Sequence, residues 1–167
     1  MDSVYLQSVL SDMYMKLITH YIFTAGLLVW MLPGYLGFLL SVWLAFSVNR
    51  LIDFGHTHKH GFSSRSWVTH DLFTAPLWGL AVGFLTYYAL QYANVEISLV
   101  ILAGLVSALS HLFLDSVTES GIFVSGKRKA LAHFSYNNPF INAVFIVAGL
   151  LFILIAFTYP VQTLFLV

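Results

Sequence analysis

Five apolar runs, separated by proline, glycine or charge, dominate the sequence and leave it few ways to fold. They cover about residues 17–32, 35–52, 72–93, 97–117 and 140–159. Pro33-Gly34 stops the first, Asn94 to Glu96 separates the third from the fourth, and Pro160 closes the fifth. A hydrocarbon core about 30 Å thick is crossed by about 20 apolar residues at about 1.5 Å rise each. The first run is short for this, and the half-polar stretch from Tyr5 to Lys16 either extends it or lies along the interface. Charged residues make up 8% of the chain, against about 25% in soluble domains, so a water-soluble globule is excluded. The expected fold is all-α, a polytopic integral membrane helical bundle forming one transmembrane domain over residues 1–167, with five spans and four as the alternative. The first sixteen residues carry Asp2 and Asp12 and lack the basic-then-apolar order of a cleavable signal peptide, so the start reads as mature.

Five spans place the amino terminus and the loops 53–71 and 118–139 on one side. All seven basic residues, Lys16, Arg50, Lys59, Arg65, Lys127, Arg128 and Lys129, fall on or next to that side. By the positive-inside rule it is cytoplasmic and the carboxyl terminus lies outside. The chain has no net charge, so nothing in it concentrates nucleic acid, and no cysteine, so any metal is held by histidine and carboxylate.

All seven histidines lie on the same side as the basic residues, a clustering that no charge bias requires. Asp53 closes the second span, His70 opens the third, and His111 and Asp115 are four apart near the end of the fourth, on one helix face. Such groups near a membrane boundary are costly unless paired or metal-bound. A lone histidine at a helix end is more often a cap or an interfacial residue. The pair His111/Asp115 resists that explanation, because an acid in the last turn opposes the helix dipole and lipid does not reward it. With His20 the set is three histidines and two aspartates, enough for one five-coordinate metal or two carboxylate-bridged metals. Zinc comes first, with manganese, iron or cobalt as alternatives. His56 is a further candidate ligand, whereas His58 and His60 read as surface.

Arg65, Lys127 and Arg128 are candidates for holding a phosphate against the metal, although Lys127 to Lys129 read equally well as a topology signal or a contact to anionic headgroups. Asp71 and His133 are candidates for the general base, Asp71 also for a cap or first-turn acid on the third helix. Asn137, Asn138 and Asn142 can orient substrate or ligands. Trp67 and Trp78 suit an aromatic belt. Gly79, Gly83, Gly104 and Ala108 suit close helix packing.

Thr19-His20, Ile52-Asp53, Arg65 to His70 and Ser110 to Thr118, in this order relative to the spans, resemble the membrane-bound metal-dependent hydrolase superfamily of inner-membrane hydrolases. Gly55-His56, Thr69-His70-Asp71 with Thr74-Ala75-Pro76, and Lys127 to Asn138 look most like an archaeal branch of it. The resemblance covers about Lys16 to Phe145 and implies a helical bundle with a metal centre at the cytoplasmic face, held by His20, Asp53, His70, His111 and Asp115, with His56 as a further ligand. One departure is that the Asp-x-Asp usual after the second span stands here as Leu51-Ile52-Asp53. A two-metal site would then need His56 in place of the absent carboxylate.

The leading expectation is a metal-dependent hydrolase using one or two divalent ions on a phosphoester or similar bond of a lipid or lipid-linked substrate. The alternatives are a metal-ion transporter or sensor and a non-catalytic lipid-binding membrane protein. Transport sites usually lie near the midplane between broken helices or repeats. Here the ligands crowd one end, no internal repeat is visible, and no acidic path leads toward Glu96. Small residues on the third and fourth spans also suit a homo-oligomer.

Overall fold

A computed structural model describes residues 17–54, 57–59, 62–91 and 96–158. The elements are α1 (Leu17–Val29), α2 (Gly34–Phe54), β1 (Thr57–Lys59), β2 (Phe62–Ser64), α3 (Trp67–His70), α4 (Thr74–Ala89), α5 (Ile97–Ser116), β3 (Ile122–Val124), β4 (Lys127–Lys129) and α6 (Pro139–Thr158). The chain is mostly helical, and α2, α5 and α6 are long and apolar enough to cross a membrane. α1 is a shorter apolar helix and α4 has 16 residues.

Helix ends depart from the apolar runs where the backbone has other partners. The first run continues to Leu32, but α1 ends at Val29, after which the amides of Met31 and Leu32 both donate to the Leu28 carbonyl. Pro33 disfavours a helical Leu32, and Gly34 at φ +80° turns the chain into α2. α4 begins only at Thr74, because the Leu72 amide donates to the Phe123 carbonyl and the Phe73 amide to Asp71 Oδ1. α6 starts sharply: Pro139 sits in its first turn, and Asn138 Oδ1 accepts from the amides of Phe140 and Ile141.

The two polar loops are not plain connections. Each folds into a two-stranded antiparallel hairpin, with Thr57 opposite Ser64 in one and Ile122 opposite Lys129 in the other. The second turns through Ser125 and Gly126, both at positive φ, which suits a two-residue hairpin turn. The all-α expectation is corrected to this extent. Strands of three residues are too short to display the period-two alternation by which a strand is read from sequence.

α5 is central, packing against α4 and α2. Leu28, Leu40, Leu44, Val100 and Ala103 form one buried apolar cluster, and Val48, Ile52, Ala75, Ala108 and Leu112 form a second. α4 and α5 touch backbone to backbone at Gly79, Gly83 and Gly104: a Cβ on either Gly79 or Gly104 would overlap the other's carbonyl. Gly26 and Gly149 join α1 to α6 in the same way. α6 buries only Asn142 and Gly149 and turns Val144, Val147, Leu151 and Leu154 outward, a surface suited to lipid rather than water. We expect Gly104→Leu to lower the thermal unfolding midpoint in detergent by an overpacking cost of about 1–3 kcal/mol or more. Leu102→Phe, at an exposed position of the same helix, is the control expected to leave it unchanged.

Candidate metal centre

Every helix end that bears a sequence-selected ligand arrives at one place. His20 lies near the start of the described part of α1, Asp53 near the end of α2, His70 at the end of α3, and His111 and Asp115 in the last turns of α5. His70 is delivered by a short helix of its own rather than by the third span. Ser66 caps α3 by accepting from the Val68 amide, and the chain then becomes extended at Asp71 (φ −88°, ψ 143°) before α4 begins. This break leaves His70 at the centre and frees Asp71 to face elsewhere.

The distances describe a compact set of donors. His70 Nε2 lies 3.5 Å from Asp115 Oδ2 and 3.9 Å from Asp53 Oδ1, and His111 Nε2 lies 3.4 and 3.6 Å from the same two oxygens. His20 Nε2 lies 3.4 Å from the other oxygen of Asp115, with its ring 4.4 Å from that of His111. The donor atoms of His20, His111 and Asp115, and those of Asp53, His70 and His111, lie within 4.8 Å of one another. The side chains of His20, His70, His111 and Asp115 are 0–4% exposed, and that of Asp53 is 17% exposed. Buried His/Asp groups of this kind can hold a metal ion.

The tautomer of His111 tests whether a cation fits. Asn49 donates its amide nitrogen to the Ala45 carbonyl and to Thr24 Oγ1, so its oxygen is the atom 2.7 Å from His111 Nδ1. That oxygen only accepts, so Nδ1 carries a proton, and Nε2 is the ring atom that faces the two carboxylate oxygens. His111 Nε2 has no hydrogen-bond partner among the described residues. At 3.4 and 3.6 Å from two carboxylate oxygens, Nε2 needs a positive charge between itself and them, which a proton or a metal ion supplies. Zinc bonds about 2.0–2.1 Å long imply tetrahedral edges of about 3.4 Å, close to three of the four nitrogen–oxygen separations here, the His70–Asp53 one being longer at 3.9 Å.

Arg65 holds the position that matters most electrostatically. It is buried, Nη2 donating to Asp115 Oδ1 at 2.6 Å and Nη1 to the Gly121 carbonyl. This is a different post from the phosphate clamp expected of it, because the guanidinium is already turned onto Asp115. With Oδ1 taken by Arg65, Oδ2 is left for the two histidines.

The remaining candidates have other partners or surroundings. Asp71 is buried, accepting from the Phe73 amide at 2.9 Å and the Gly126 amide at 3.3 Å, which ties α3 to the β3–β4 turn. N-capping of α4 falls to Phe73, without a side-chain bond. Lys127 and Arg128 are exposed on β4, the Arg128 guanidinium 5.5 Å from the Phe123 ring centre. His133 is exposed in the loop before α6. Asn138 caps α6, while Asn142 accepts from Thr19 Oγ1 and donates to the Tyr136 carbonyl. His56 lies outside the described residues.

Sequence reasoning missed the buried polar layer beneath the ligands. Thr24 Oγ1 and Ser110 Oγ are 2.6 Å apart, and Ser110 also donates to the Ser107 carbonyl. Together with Asn49 they join α1, α2 and α5 behind His111. A signal was present: Thr24 is four residues after His20, Asn49 four before Asp53 and Ser107 four before His111, one helical turn along the same faces.

Residues 15–114 match the sequence model of a family described as protein of unknown function (DUF1286), over more than half of the chain. The matched region takes in His20, Asp53, His70 and His111 and stops one residue before Asp115. No curated protein and no solved structure matches the chain. On this match, which covers more than half of its length, the chain belongs to the DUF1286 family.

Proposed function

We propose that the protein is an integral membrane, metal-dependent hydrolase acting on a phosphoester or similar bond of a lipid or lipid-linked substrate. The observation that carries this reading is the convergence of His111 Nε2 and His70 Nε2 on the oxygens of Asp53 and Asp115. Those four donors would hold one divalent ion, zinc first by donor type. When bound, such an ion supplies a Lewis acid that lowers the pKa of water and polarises a phosphoryl oxygen. Arg65 fixes Asp115, Asn49 fixes the His111 tautomer, and His20 backs the Asp115 oxygen that Arg65 holds. Asp53, the one partly exposed member, marks where substrate meets the site.

In this reading α1, α2, α4, α5 and α6 are the five spans, with α1 and α4 supplying the short ones. Basic residues on the hairpin side put the site at the cytoplasmic face by the positive-inside rule. The substrate class follows from that depth, since a metal centre at headgroup level beside basic loops meets phosphoesters first. The test is zinc-dependent release of phosphate or headgroup from mixed lipid phosphoesters by the detergent-purified protein. His70→Ala/His111→Ala is expected to lose both zinc and turnover. Full zinc occupancy with no turnover of any phosphoester overturns the hydrolase reading and favours a metal sensor or carrier.

A further inference from the structure

The mouth of the cluster is defined by exposure. Asp53 is 17% exposed while the histidines and Asp115 are 0–4% exposed, so a ligand approaching the donors does so along α2 at Asp53. One turn earlier on α2 stands Arg50, exposed and, among the described residues, without a hydrogen bond or ion pair. Phe46 precedes Arg50 by four residues and so shares its helix face. The Phe46 ring is 5.4 Å from that of Tyr21, which follows His20 on α1. Tyr21 is half-buried and lies within electrostatic reach of both Asp53 and Arg50. A cation and a phenol therefore flank the exposed edge of the cluster, in the seam between α1 and α2.

This arrangement supplies what Arg65 does not. Arg65 is turned onto Asp115 and the Gly121 carbonyl, so a phosphate arriving at Asp53 is met by another cation. We infer that Arg50 and Tyr21 form an anion subsite beside Asp53, taking the phosphate oxyanion of a lipid phosphoester that reaches the centre between α1 and α2. The guanidinium receives two phosphate oxygens in a fork, and the Tyr21 hydroxyl donates a further hydrogen bond. The exposed position of Arg50 near the end of α2 suits a headgroup, because a long cationic stem can lie along apolar surface while its head stays at phosphate depth. The inference deepens the hydrolase reading and rests on it for the substrate class, but not for the existence of the subsite.

The test measures binding of inorganic phosphate and of a short-chain phosphatidic acid to the full chain in an uncharged detergent, by calorimetry, with and without zinc. Charge-assisted hydrogen bonds of about 1.5–3 kcal/mol correspond to a loss of about 10- to 160-fold in affinity. Arg50→Gln is expected to weaken both ligands by that factor with zinc content unchanged, Arg50→Lys to fall between, and Tyr21→Phe to weaken them less. Failure of the wild-type protein to bind phosphate overturns the subsite. So does an Arg50→Gln protein that loses only phosphatidic acid affinity, since Arg50 then serves as a general lipid anchor. Phosphate binding that depends on Arg50 in a protein that takes up no zinc keeps the subsite and removes the hydrolase reading.

Discussion

Asp115→Asn is expected to lose its metal and to be strongly destabilised, and the two losses have separable causes. Asp115 Oδ1 accepts from Arg65 at 2.6 Å, and Oδ2 faces His70 and His111 at 3.5 and 3.4 Å. An amide in its place leaves the buried guanidinium without a counter-charge, a loss of about 3–5 kcal/mol. It also removes one of the four donors, which costs metal affinity at least the ~10–100-fold seen for lost outer partners. Adding Arg65→Met removes the stranded charge. The Arg65→Met/Asp115→Asn protein is therefore expected to regain most of the thermal stability of the wild type in detergent while still failing to bind zinc. Restoration of both would show that the carboxylate serves only to neutralise Arg65.

The second large effect is expected at a residue that contributes no donor. Asn49→Leu removes the acceptor 2.7 Å from His111 Nδ1, so the proton is no longer held on Nδ1 and Nε2 is no longer fixed as the nitrogen offered to a metal. A loss of about 10–100-fold in zinc affinity follows, read by chelator competition. Asn49→Asp keeps an acceptor and is expected to retain most of the affinity. If Asn49→Leu binds zinc as the wild type does, the tautomer is set by something else. Nitrogen-15 chemical shifts of His111 separate the two directly, because they distinguish a protonated Nδ1 from a protonated Nε2.

The helices were legible because a membrane-crossing segment must be apolar throughout and has to stop at proline, glycine or charge. α5 and α6 therefore lie within a residue of the runs 97–117 and 140–159. The ends of α1 and α4 were not, since they depend on which carbonyls and side chains the amides of Leu32, Leu72 and Phe73 meet in three dimensions. The coming together of His20, Asp53, His70, His111 and Asp115 could be anticipated because charged and imidazole groups at apolar helix ends have few other places to go. Arg65 could not be placed the same way. A buried arginine on Asp115 and an arginine awaiting phosphate have the same sequence signature, and only the contacts to Asp115 and to the Gly121 carbonyl, beside a hairpin whose three-residue strands are too short to read, separate them. Asn49 sits within an apolar run, where a single amide reads as a packing polar group until the ring of His111 is seen beside it.

The central claim is that two histidines and two aspartates bind one divalent ion at the hairpin end of the bundle. X-ray absorption at the metal edge of zinc-loaded, detergent-purified protein tests it most directly. The account predicts four light ligands at about 2.0–2.2 Å, with the outer-ring scattering of two imidazoles, and loss of that signal in His70→Ala/His111→Ala. A protein that takes up no metal after reconstitution, or whose metal shows an all-oxygen shell without imidazole, contradicts it.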